Sequence, residues 1–184
     1  MGIPLNGPDV GSPTLERIRR APKVLLHDHL DGGLRPSTII ELANETGYAD
    51  LPTADADELA AWMLRGANRK DLNLYLETFA HTVGVMQTAP AIERVARECA
   101  EDLAADGVVY AEIRFAPELH MERGLSLDAV IEAVITGFEA GVSGTDLTIR
   151  IICSAMRHLD RGLEVAQAAV RHRDHGVVGF DIAG

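Results

Sequence analysis

The residues of this 184-residue chain best able to do chemistry stand together near its start, in Leu25-Leu26-His27-Asp28-His29-Leu30-Asp31-Gly32-Gly33. On an extended strand, residues two apart point the same way, so His27 and His29 share one face and Asp28 takes the other. Paired imidazoles are nitrogen ligands for a single metal ion, and zinc suits such donors. A catalytic zinc typically keeps about three protein ligands and a water, so the pair is part of a site and not a whole one. The plain alternative is two polar histidines closing a strand at a loop. An apolar run leads in, and the tight Asp31-Gly32-Gly33 turn leaves backbone close to a ligand, which favours the metal reading.

Other candidates carry less. His120-Met121-Glu122 has the His-x-Glu form used by cytidine-type zinc deaminases, but that chemistry also needs Pro-Cys-x-x-Cys. Cys99 and Cys153 stand too far apart to supply it, so His120 reads as a loop residue. Arg157-His158 could orient a ligand or pair with Glu112 or Asp181. His81, His172 and His175 fall in helical segments and read as solvated or packed, and Glu41, Glu45, Glu93 and Glu98 as solvated helix faces. The chain has no phosphate-cradling Gly-rich loop and no Gly-x-Ser-x-Gly elbow.

The elements that must hold His27 and His29 follow from hydrophobic pattern. Short apolar, β-branched runs predict strands over Lys23 to His29, Val108 to Ala116, Thr148 to Met156 and Val177 to Ala183. Leu127, Val130, Ile131, Val134, Ile135 and Phe138 recur at helical spacing after Ser126, with Gly141 as a stop. A second helix starts near Pro90 and ends at Gly107. Pro36 to Gly47, Asp71 to Gln87, Arg161 to His175 and a shorter stretch near Asp57 to Arg65 complete the set. Strands that alternate with helices and lack period-2 polar faces predict a parallel sheet covered on both sides, an α/β fold. Pattern alone leaves a doubly wound sheet and a barrel equally open. Gly184 follows directly on the last strand with no helix to cover it, so the sequence is expected to be cut from a longer one.

Composition narrows the partners. A net charge of -11 disfavours a nucleic-acid backbone or an anionic membrane, since both would be repelled, and leaves a small neutral ligand open. No apolar run approaches the roughly 18 residues that span a bilayer, and Met1 to Pro13 reads as a mobile tail without a secretion signal. With two cysteines inside regular segments, a reducing, cytoplasmic setting is expected.

Pro22-Lys23-Val24-Leu25-Leu26-His27-Asp28-His29-Leu30-Asp31-Gly32 closely resembles the first strand of adenosine deaminases, members of the metal-dependent amidohydrolase superfamily. Gly107-Val108-Val109-Tyr110-Ala111-Glu112-Ile113-Arg114-Phe115-Ala116-Pro117 is similar to the second strand, Cys153-Ser154-Ala155-Met156-Arg157-His158 to the third, and Gly179-Phe180-Asp181-Ile182-Ala183-Gly184 to the fourth. Tyr75-Leu76-Glu77-Thr78-Phe79 is family-like as well.

The resemblance implies a TIM-type (β/α)8 barrel, with residues 1–21 a mobile tail and short helix and residues 22–184 the first four strands and their helices. It implies His27 and His29 as zinc ligands, and His29, Asp31 and Gly184 as the substrate-binding set. Asp31 would take the ribose end, and the backbone N–H of Gly184 a purine ring nitrogen. The implied reaction is hydrolytic deamination of adenosine and 2'-deoxyadenosine to inosine and ammonia in purine salvage, with one zinc per site. No catalytic residue would lie in this chain, because the third zinc histidine, the proton-shuttling glutamate and the histidine after it belong to later strands. The chain alone would then be inactive and require the C-terminal half of the barrel. An adenine or modified-adenosine deaminase, and a non-catalytic binding or assembly fragment, are the competing expectations.

Overall fold

The computed structural model describes residues 14–68 and 72–184, with residues 72–76 described by backbone alone. The expected tail, Met1 to Pro13, lies outside the described residues. A short helix α1 (Leu15–Arg20) precedes four strands, β1 (Lys23–His29), β2 (Val108–Phe115), β3 (Thr148–Met156) and β4 (Val177–Ala183). They pair in parallel in the order β1-β2-β3-β4, within a residue of the boundaries that the apolar runs predict. Chain order and spatial order coincide. A doubly wound sheet reverses its strand order at a switch point, whereas a barrel adds each strand beside the last, so the topology is that of a barrel segment.

Helices α2 (Pro36–Thr46), α3 (Ala56–Asn68), α4 (Leu72–Val85) and α5 (Ala89–Ala105) lie between β1 and β2; α6 (Leu127–Val142) and α7 (Gly162–Arg171) make the next two crossovers. Local signals set several ends. Ser126 accepts the Ala129 N–H at 3.1 Å as an N-cap, and Gly47 closes α2 in the left-handed conformation at φ 72°. The predicted short helix near Asp57 is longer than expected, and the predicted Arg161 to His175 helix breaks at His172 into α7 and a 3-10 turn (Arg173–His175).

Gly141 is not a stop. α6 continues through Val142, and Gly137 and Gly141, one turn apart, form its contact with α5. A Cβ on Gly141 would meet the Arg97 carbonyl oxygen at 2.5 Å and Ala100 Cβ at 2.6 Å. Such close backbone approach is open only to glycine, so these residues were placed for packing and not for termination.

The sheet has one face built for helices and one that is not. Ala111, Ile113 and Phe115 of β2 and Ile149, Ile151, Cys153 and Ala155 of β3 are buried in a core with Val95, Ala96, Val130, Val134 and Val165 from α5, α6 and α7. Tyr110, Glu112, Arg114 and Arg150 alternate with them on the opposite face. The expectation that the strands lack a polar face is therefore corrected for β2 and β3, whereas the same face of β1 carries the exposed, apolar Val24 and Leu26. Glu98 also departs from its expected solvated face. It is buried, accepts from Thr38 Oγ1 at 2.5 Å and Arg94 Nε at 2.8 Å, and faces Arg35. Burial pushes its carboxyl up, but those hydrogen bonds and the neighbouring arginines outweigh it and hold it below the usual value. Glu41 and Glu45 are exposed as expected.

Candidate active site

His27 and His29 end β1 at the rim of the polar face, but strand alternation is not what brings them together. The β1–β2 ladder pairs Leu26 with Glu112, Asp28 with Ile113 and His29 with Arg114, and skips His27. His27 sits in a β-bulge at φ 65°, the one described non-glycine residue with a positive φ. Leu26 and His27 are consequently both exposed, where a flat strand would send them to opposite faces. A bulge re-aims the side chain that it carries, and here it turns His27 toward His29, the ring centroids 5.4 Å apart at 60°. A left-handed histidine is unfavourable, and strain of this kind clusters where a site needs it.

Directly beyond, Leu30–Gly32 forms a 3-10 turn that buries Asp31 to 4% exposure. Its Oδ2 accepts the Ala116 N–H at 3.4 Å and its main-chain carbonyl accepts from Thr82 Oγ1 at 2.5 Å. Oδ1 has no hydrogen-bond partner and lies 3.7 Å from His29 Nδ1, too far for one. A buried carboxylate oxygen without a donor is costly, and a ligand donor would relieve it.

Asp31, His29, Ser154, His158 and Gly184 line a cavity of about 430 Å³ together with the apolar Phe79, Val83, Phe115, Leu119 and Met156. It opens at the C-terminal ends of β1 to β4, where barrel enzymes keep their sites. A largely apolar hollow with a few polar groups suits a small organic ligand. Gly184, at φ 96°, occupies a conformation that a side chain would strain. A hollow of about 450 Å³ lies at the opposite end of β3, between Phe138 and His175, away from the histidine pair.

Several polar groups support this cavity from behind. Arg114, on the lumen face of β2, reaches His27 (Nη1 to Nε2, 3.0 Å), donates to Ser154 Oγ at 3.2 Å and to Asp181 Oδ1 at 2.9 Å. The partner of Asp181 is thus Arg114 and not Arg157. Arg157 and His158 are exposed, and Glu112 accepts from Tyr110 Oη at 2.9 Å. Glu118 Oε1 accepts the Met156 N–H at 2.5 Å and fastens the end of β3. His120 stands in the 3-10 turn Pro117–His120, but it is fully buried and no plain loop residue, with Nδ1 3.1 Å from the Met86 carbonyl and burial pushing its pKa down. His81 is packed, 2.9 Å from Tyr48 Oη and edge-on to Trp62, and His172 lies 3.0 Å from Asp128. Local pattern gives Arg114 and Ser154 no role, and their polarity inside otherwise apolar strands is the signal that marks them.

The residues fit part of a zinc site. His29 Nδ1 lies 3.7 Å from Asp31 Oδ1, beyond hydrogen-bond reach, so that carboxylate does not fix which ring nitrogen would meet an ion. His27 stands beside His29. Among the described residues no group of three or more His, Cys, Asp or Glu is arranged to hold a metal, so the pair supplies only some of the ligands.

The sequence model of the adenosine deaminase family matches residues 22–184. An adenosine deaminase of Mycolicibacterium gilvum is 64% identical over 176 residues, which are 93% of this chain and 49% of that protein. Adenosine deaminase 1 of Streptomyces coelicolor is 61% identical over 94% of this chain and 45% of its own length. The chain thus spans about half the length of the curated relatives it matches. Among solved structures, an Arabidopsis N6-mAMP deaminase superposes with a TM-score of 0.78 at 28% identity, over 92% of this chain and 52% of that one.

Proposed function

The chain belongs to the adenosine deaminase family, and from that membership we propose that it contributes half of the active site of a zinc-dependent enzyme converting adenosine and 2'-deoxyadenosine to their inosine counterparts and ammonia, within purine salvage. The observation that carries the reading is the convergence of the His27 and His29 rings, 5.4 Å apart, with His29 lining a largely apolar cavity that Asp31 and Gly184 also line. His27 and His29 are the zinc ligands that this chain offers. Bound there, zinc supplies the Lewis acidity that makes water nucleophilic near neutral pH.

The chain's own residues bind and orient. Asp31 Oδ1, buried and without a donor, accepts a hydrogen bond from a sugar hydroxyl. Gly184 presents its backbone N–H to a purine ring nitrogen, and its lack of a side chain keeps that edge open. Phe79, Phe115, Leu119 and Met156 enclose the base and exclude water, which strengthens the few polar contacts. Among the described residues Asp31 is the only acid lining the cavity, and it is committed to binding. Among the described residues no second carboxyl group lines the cavity to carry a proton between water and the base, a service typically worth about 10²–10⁴ in rate. We therefore read the chain as inactive alone and dependent on a C-terminal half.

Reduced thiols fit a cytoplasmic protein: burial first, with nearby acids, pushes Cys99 and Cys153 up to about 12, which makes both poor nucleophiles. The Arabidopsis likeness favours a second reading, action on an N6-modified adenine nucleotide, but at 28% identity against 64% it ranks below adenosine.

The test is complementation. The chain is purified alone and together with the second half of the Mycolicibacterium gilvum relative, and ammonia release is followed from adenosine, adenine, AMP and N6-methyl-AMP. The proposal expects no turnover by the chain alone and zinc-dependent turnover of adenosine by the pair. Turnover by the chain alone, or a preference of the pair for a nucleotide, overturns it.

A further inference from the structure

His27 raises a question of aim. Because it sits in a bulge at φ 65°, the pleat of β1 does not dictate where its ring points. The ring is held from the side by His29 and by Arg114, a residue of the neighbouring strand whose side chain is 8% exposed.

The contact with Arg114 has an informative shape. Nη1 lies 3.0 Å from Nε2 and 3.4 Å from Nδ1 of the same ring. Those two nitrogens flank Cε1, and their in-plane lone-pair directions diverge. A donor so near to both cannot lie along either direction, and in the ring plane it would overlap the Cε1–H group. The guanidinium nitrogen therefore lies over the ring face, in the stacked arrangement that arginine adopts on aromatic rings. Both ring nitrogens stay open at the ring edge, where a metal would approach.

The guanidinium is itself pinned. Nε donates to Ser154 Oγ on β3 at 3.2 Å and Nη2 to Asp181 Oδ1 on β4 at 2.9 Å. One planar group on β2 thus ties together all four strands and presents a flat, fixed surface to the ring on β1.

We infer that Arg114 is a positioning residue: anchored by Ser154 and Asp181, its guanidinium plane sets the plane of the His27 ring and so aims that imidazole at the metal. This rests on the reading of His27 as a zinc ligand. The alternative role, a mere positive charge beside the site, has the opposite sign. A cation near a metal repels it, so removing the charge would tighten zinc binding; removing a support for the ligand weakens it. Outer supports of metal ligands typically govern about 10–100-fold in affinity.

The experiment uses this chain paired with the second half of the Mycolicibacterium gilvum relative. The zinc dissociation constant is measured by competition with a chromogenic chelator, and thermal unfolding without metal reports on the fold. Arg114→Met and Arg114→Lys should each weaken zinc about tenfold or more. Lysine keeps the charge but has no plane to offer, so it should not rescue. Ser154→Ala, which removes one anchor of the guanidinium without changing any charge, should weaken zinc severalfold with metal-free unfolding close to wild type. Unchanged or tighter zinc binding by Arg114→Met, or full affinity with Arg114→Lys, overturns the inference. Should both Arg114 variants fail to fold, Ser154→Ala decides it, and unchanged affinity there overturns it as well. A wild-type pair that binds no zinc overturns the His27 assignment and this inference together; a wild-type pair that binds zinc no better than the variants overturns the inference alone.

Discussion

Replacing Asp31 by Ala should separate binding from stability. In the fold this carboxylate makes one long hydrogen bond, from the Ala116 N–H at 3.4 Å, and leaves Oδ1 buried without a donor. Losing it gives up little native hydrogen bonding and removes a desolvated oxygen whose penalty is on the order of 1–3 kcal/mol. Stability should hold or rise. Binding should suffer, because a hydrogen bond to a charged group contributes about 1.5–3 kcal/mol, roughly one to two decades in kcat/KM. Asp31→Asn keeps the shape and can still accept from Ala116, so its loss should be smaller. The assay is kcat/KM for adenosine on the complemented pair, with adenine, which has no sugar, as the internal control, zinc content by elemental analysis and urea unfolding alongside. Zinc should stay, since Oδ1 is 3.7 Å from His29 Nδ1 and not bonded to it. Equal losses for adenosine and adenine, or no loss for either, would refute the sugar contact.

Replacing both His27 and His29 by Ala should remove the zinc from the complemented pair; full zinc content by elemental analysis would exclude them as ligands. Gly137→Ala would raise intrinsic helix propensity by about 1 kcal/mol on an exposed helix, yet here its Cβ would come within 2.7 Å of Ala96 Cβ and closer still to the Glu93 carbonyl oxygen. The net effect should be a loss of about 1–3 kcal/mol by urea unfolding, and a gain would mean that α5 and α6 are not in contact there. The pKa of buried His120 is lowered from 6.5, so the unfolded chain takes up a proton that the folded chain refuses. Its contribution is complete above pH 6.5 and is lost as pH falls through the lower folded value, with a slope of up to about 1.4 kcal/mol per pH unit. His120→Gln, which can still donate to the Met86 carbonyl, should flatten stability between pH 7 and 5, and an unaltered slope would show that His120 titrates normally.

Legibility in the sequence follows the range of the interaction. Apolar runs reveal four strands, and start and stop residues reveal helix ends at Ser126 and Gly107, because each of these signals acts within a few residues. The motif around His27, His29 and Asp31 was visible for the same reason, and its order with the later motifs pointed to the family. Pattern could not show the bulge at His27, since a register skip is defined only against the partner strand Val108–Phe115. Gly141 reads as a stop by local rules, and only the presence of α5 against it turns the missing side chain into a contact surface. One residue at a time, Glu98 looks solvated and His120 looks like a loop residue; Thr38, 60 residues from the one, and Met86, 34 from the other, meet them as buried partners. Arg114 is the clearest case. Its contacts reach 87, 40 and 67 residues along the chain, to His27, Ser154 and Asp181. Composition and periodicity determine which residues leave water and in what local form, but which polar groups meet after the strands align depends on register and closure, and those exist only in three dimensions.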